Sequence, residues 1–257
     1  MAEAPVTSVH SDATALGLIV SAEEIRQGIV DSKLPPWAQD TFHAFQNDLL
    51  STERLFPCIF GVEALKQDNL RFVFLEDPYH DESLYTLKNS LVEYTGIYRS
   101  LSRMTSLVAL FKPQAAIKPI EEYRQDFWHV IQFLHEHDPA LWPVDIPIDT
   151  QEALWEFCFN GDPMFVVCNT PAHTQRRSRS SKGFMITFQP RWVFEGLGNT
   201  PKGEKARRSI RERIVKYDTI TPYPGLGAYG DPNNNEWKQY FLPDDNSTEF
   251  TECPFKH

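Results

Sequence analysis

Along residues 119–138 apolar side chains recur every three or four positions, with Phe127, Ile131 and Leu134 on one stripe and Pro139 behind them. That period puts one apolar face on an α-helix, and it is the clearest helical signal in the chain. Residues 81–103 repeat it through Leu84, Leu87, Leu91, Tyr94 and Tyr98. Ser21 and Glu24 stand at capping-box spacing ahead of Ile25, Ile29 and Val30, which starts a short helix. Pro35 and Pro36 break the chain before a helical stretch over 37–50, and 204–217 reads as the last long helix.

Short apolar runs bounded by breakers mark strands at 70–75, 106–111, 155–159, 163–168 and 184–188. Residues 60–62 join 70–75 as a hairpin through the turn Lys66-Gln-Asp-Asn69. A short helix follows 184–188, and the chain beyond 217 is an irregular tail rich in Pro, Gly and Asn. Strands and helices are interspersed without strict alternation, with no internal repeat and no glycine-rich phosphate motif. The pattern predicts an α+β fold: a flexible tail over 1–20, then a single mixed domain over 21–257 with a mostly antiparallel sheet flanked by helices.

Composition narrows the classes. A 257-residue chain that is 41% hydrophobic can fill a sizeable core, yet no window approaches the length of a membrane span. Cys58, Cys158, Cys168 and Cys253 have neither CxxC spacing nor a zinc-type histidine pattern, so free thiols and a cytoplasmic protein are expected. The net charge is -10, but residues 171–216 hold twelve Lys/Arg against Glu195, Glu204 and Glu212. Such asymmetry fits one anion-binding region on an acidic protein that attracts small cations and repels nucleic acid. Arg207, Arg208, Arg211 and Arg213 read instead as the solvated face of a helix.

The most promising anion site is the loop over 171–182, delivered by the apolar run 164–168. Arg176, Arg177 and Arg179 can hold carboxylates or phosphates in bidentate fashion. His173 in the same loop can ligate a metal, act as a general base or be solvated. His135 projects between Ile131 and Trp128 on the apolar stripe of its helix while His129 points to the polar side. An inward imidazole there serves as a haem or metal ligand, or as a hydrogen-bonded core histidine. Cys58 and Cys253, each beside proline and aromatic residues, suit either iron ligation or plain packing, and Cys158 and Cys168 read as core. Asp231, Glu236 and Trp237, in the stretch 227–240, offer carboxylates and an aromatic face to a guanidinium, or form a well-packed turn.

The order of these segments resembles the YqcI/YcgG family. Phe56-Pro-Cys58 with Gly61-Val62, Leu70-Arg-Phe72, Trp128, Leu134-His135 and Asp138 carry the likeness first. It continues through Met164-Phe-Val-Val167, Pro171, the arginines at 176, 177 and 179, Gln189-Pro190, Phe194-Glu195, Ile210-Arg211-Glu-Arg213, Gln239-Tyr240 and Cys253-Pro-Phe255. Many relatives have His-Pro where this chain has Thr170-Pro171, with His173 just after.

The resemblance, which spans residues 54–255, implies a haem-dependent N-hydroxylase of the guanitoxin and D-cycloserine biosynthesis type. Its cofactor would be haem b (iron protoporphyrin IX), and it would act on a guanidine nitrogen of arginine or an arginine-like molecule. A small cationic guanidine substrate and an electron donor or peroxide follow as partners, and a homodimer is compatible. His135 is then the first axial-ligand candidate and His173 the second, with Cys253 behind them. Arg176, Arg177 and Arg179 would take propionates or a substrate carboxylate, and Phe127, Trp128, Phe165 and Trp192 would wall the pocket. A non-catalytic haem-, carboxylate- or phosphate-binding protein is the competing class, and a non-haem iron oxygenase ranks third because the helix histidines lack facial spacing.

Overall fold

The computed structural model describes residues 19–195, 200–227 and 231–257. Among these residues six strands form one sheet in the order β1-β2-β3-β6-β5-β4: β1 (Val20–Ser21), β2 (Leu70–Leu75), β3 (Ser106–Phe111), β4 (Phe157–Phe159), β5 (Asp162–Asn169) and β6 (Met185–Pro190). Only the β2–β3 pair is parallel, so the expected mostly antiparallel sheet in an α+β domain is what the chain forms. Among the described residues six α-helices accompany it: α1 (Ala22–Arg26), α2 (Ala38–Leu50), α3 (Ile59–Lys66), α4 (Asp81–Leu101), α5 (Ile120–Glu136) and α6 (Pro201–Tyr217).

Alternation along the strands divides the molecule. Leu107, Ala109 and Phe111 of β3 join Ile186, Phe188, Val166 and Cys168 in a core with Leu87, Leu91, Phe127 and Ile131 of α4 and α5. Val108 and Leu110 face the other way with Leu70, Phe72 and Met185, against Ile25, Phe42, Leu49 and Leu65 of α1, α2 and α3. A strand buried on both faces reads as an unbroken apolar run, which is why β3 is so plain in the sequence. Full burial of each of these large side chains stabilises by about 1.5–3 kcal/mol.

Ser21 caps α1 through its side chain, and Glu24 reaches back to the Ser21 amide, as the spacing predicts. The expected tail over 1–20 lies outside the described residues up to 18, and Val20 is already paired with Phe72. One expectation fails: residues 60–62 are not a strand but part of α3. An apolar triplet carries no period, and here Cys58 caps a helix, its Sγ accepting from the Gly61 amide at 3.3 Å. Asp68, at φ 57, then turns the chain from α3 into β2.

Candidate active-site cavity

Helices α1 to α3 cover only part of their face of the sheet, and α6 lies over the rest. Between them is a cavity of about 680 Å³, within the usual range of roughly 300–1,000 Å³ for small-molecule sites. Its floor is the outward register of β5 and β6, with Phe165, Val167, Asn169, Met185, Thr187 and Gln189. The roof is one stripe of α6 at helical spacing: Gly203, Ala206, Arg207, Ile210, Arg211 and Ile214. Phe45, Asp48 and Leu49 of α2 and the segment Phe56-Pro57-Cys58 close one side, and residues 178–182 of the basic loop close another.

Cys58 brings its sulfur to this wall. Burial pushes the thiol up, while the Gly61 and Phe60 amides at the start of α3 and the Arg179 guanidinium pull it down. A Cβ at Gly61 would stand 3.4 Å from the sulfur, a close contact.

At another part of the lining Arg191, directly after β6, holds two carboxylates. Its Nε donates to Glu156 at 2.6 Å, and its Nη2 contacts both Glu156 and Glu236. Glu236 is 2% exposed and lines the cavity; Glu156 is 1% exposed and does not. Burial pushes Glu236 up to about 8, with Glu156 adding to the rise and Arg191 opposing it. Burial also opposes the charge on Arg191, but Glu236 and Glu156 together hold its guanidinium above the ordinary value.

The basic loop divides its work. Arg179 lines the cavity, and its guanidinium donates to the carbonyls of Tyr240 at 3.3 Å and Gln239 at 3.0 Å. Burial lowers it to about 10. Arg176 is buried off the lining, donating to the carbonyls of Pro243 and Asp245 and to Asn246 Oδ1. Arg177 is half-buried and also off the lining. Asp244 accepts from the amides of Thr174, Gln175 and Arg176, so the first half of the loop binds its own chain's carboxylate.

His173 is buried, with one ring nitrogen 2.9 Å from Thr170 Oγ1 and the other 2.8 Å from the Leu242 carbonyl. Burial pushes it down to about 4, and both nitrogens are occupied. His135 is half-buried on the opposite side of the sheet, against Phe255, His257 and Trp142, and burial with neighbouring His257 lowers it. Trp128 and Cys253 belong to that far core as well, burial pushing the Cys253 thiol up to about 12. Asp231 is exposed and accepts from the Asn233 amide, and Trp237 packs toward Trp128; residues 228–230 of that stretch lie outside the described residues. Of the four expected aromatic walls, Phe165 lines the cavity and Phe127, Trp128 and Trp192 do not.

The structure thus brings together Cys58, Arg179 and Glu236 and leaves His135, His173, Arg176, Arg177, Cys253 and Asp231 elsewhere. Arg191, Asp48 and Lys182 complete the charged lining with Glu195, Arg207 and Arg211. Sequence reasoning passed over the Arg191 pairing because its two partners lie 35 and 45 positions away.

An α+β domain with a mixed sheet, one helix-roofed cavity and an inward sulfur at a helix start defines a class of single-domain pocket proteins. The chain belongs to the YqcI/YcgG family, whose model matches residues 45–256. It is 42% identical to the Bacillus subtilis (strain 168) protein YqcI over 230 residues, 88% of this chain and 90% of that one. It is equally 42% identical to YcgG of the same organism over 232 residues, covering 89% and 91%. A Streptomyces lavendulae protein, provisionally named the N(omega)-hydroxy-L-arginine synthase DcsA, is 34% identical over 242 residues, covering 91% and 90%. No solved structure matches the chain. No helix among the described residues is long and apolar enough to cross a membrane.

Proposed function

We propose that the chain is a haem-dependent N-hydroxylase that places a hydroxyl on a guanidine nitrogen of arginine or a similar small molecule. The observation that carries this reading is a single cavity that combines a sulfur donor, several guanidinium groups and a buried carboxylate. The name of the Streptomyces lavendulae relative supports the substrate and the reaction.

The residues present fit the group. Cys58 is the sulfur on the cavity wall that would hold the iron: burial raises its thiol, while the Gly61 and Phe60 amides and the Arg179 charge favour the thiolate, whereas His173 has no free nitrogen and His135 is across the sheet. Arg179, Lys182, Arg207 and Arg211 supply cations for propionates or a substrate carboxylate. Bound haem would supply activation of dioxygen or peroxide. The chain's part is placement: Phe45, Leu49, Phe165 and Ile210 keep water out, and Glu236 draws the cationic head of the substrate to its end of the cavity.

The test is turnover. Protein expressed with a haem precursor and supplied with L-arginine and either a reductant under air or peroxide should yield N-hydroxyarginine by mass spectrometry. Haem-loaded protein that binds arginine but adds no oxygen atom to it would refute the reaction.

A further inference from the structure

Two buried carboxylates share the Arg191 guanidinium, and only one of them, Glu236, reaches the cavity. We propose that Glu236 is a proton-exchange site: it holds a proton until a cationic substrate head arrives, then releases it, so that capture is coupled to loss of one proton. The proposal rests on the guanidine reading above and adds a linkage that reading does not require.

The geometry carries the argument. Glu156 and Glu236 are held against the Arg191 guanidinium at 1% and 2% exposure, and two anions so close with so little water each raise the cost of charging the other. Arg191 reaches Glu156 through both Nε and Nη2 and Glu236 through Nη2, a geometry that favours the charge on Glu156 and the proton on Glu236. Burial and Glu156 both raise the Glu236 carboxyl, in keeping with that division.

The other groups about Glu236 do not change the sign. Tyr240, on its own segment, is engaged by the Phe157 amide and the Met164 carbonyl. Elsewhere on the lining are Arg179, Lys182, Arg207 and Arg211 against Asp48 and Glu195, an excess of cations that further disfavours an incoming guanidinium unless a carboxylate ionises to meet it. Arginine's guanidinium stays protonated at all working pH values, so the proton released must come from the protein.

Infrared difference spectroscopy and calorimetry test this on the full chain. Ligand-free protein at pH 7 should show a protonated-carboxyl band that Glu236→Gln lacks. Adding L-arginine should remove the band, and titration in buffers of different ionisation heat should give about one proton released per arginine bound. Glu156→Gln is the second variant: with its rival gone, Glu236 pairs with Arg191 as an anion, so the band and the proton release should both vanish while arginine still binds.

Absence of the band in the parent, or proton release that persists in both variants, would overturn the coupling. A band that arginine leaves unchanged while heat shows binding overturns the coupling alone. A band with no arginine binding at all overturns the coupling and counts against the guanidine reading too.

Discussion

His173 shows how a residue that looks like a catalyst in sequence becomes a structural one. Its two ring nitrogens tie the basic loop at Thr170 to the Leu242 carbonyl of the final segment. Replacing it with Ala takes the ring's hydrogen bond from the Leu242 carbonyl and one of two partners from Thr170 Oγ1, which keeps the Ala172 amide, and thermal or urea unfolding should show a loss of about 1–3 kcal/mol. Because its folded pKa, about 4, lies below the ordinary value, the stability it gives is present above about pH 6.5 and is lost as pH falls towards 4. His173→Gln should flatten that part of the acid limb; an unchanged pH profile would refute the assignment. Arg179 and Glu236 were legible as site residues from charge and residue type alone. Cys58 was legible only as one of two sulfurs beside proline, since nothing in three letters shows which side of a sheet a side chain will face.

At the level of elements, period was enough for α4, α5 and β3, each long or buried enough to show its repeat. It failed for α3, where the apolar triplet over 60–62 fits helix and strand alike and the cap is a cysteine. Helix α6 is the instructive case. Its arginines suggest a solvated face, and two of its four, Arg207 and Arg211, do line the cavity on the same stripe as Ala206 and Ile210. Ala206→Phe should fill that stripe and weaken arginine binding at least tenfold by calorimetry with little change in melting temperature. Val215→Glu, on the exposed side of the same helix at 62% exposure, should change neither. Equal effects from the two would show that α6 is not the roof.

For the molecule as a whole, the sheet is the partition. One face packs with α4 and α5 into the larger core, which takes in Trp128, Cys253 and, beside His135, Phe255 and Trp142; the other keeps its space between α2, α3 and α6. The charge asymmetry read from the chain survives in three dimensions, because the basic segment supplies both a wall and the roof of that space. What sequence could not give was the pairing across distance: Arg191 with Glu156 and Glu236, and Arg179 with the carbonyls of Gln239 and Tyr240, are set by the fold rather than by any local pattern.

The central claim is that haem sits in this cavity on Cys58. Absorption spectra of the parent, Cys58→Ser, His135→Ala and His173→Ala, each expressed with a haem precursor, test it most directly. The account predicts a Soret band in the parent that is lost or displaced in Cys58→Ser and kept in folded His135→Ala and His173→Ala. A parent without haem, or a Soret band that survives Cys58→Ser and disappears in either histidine variant, would contradict it.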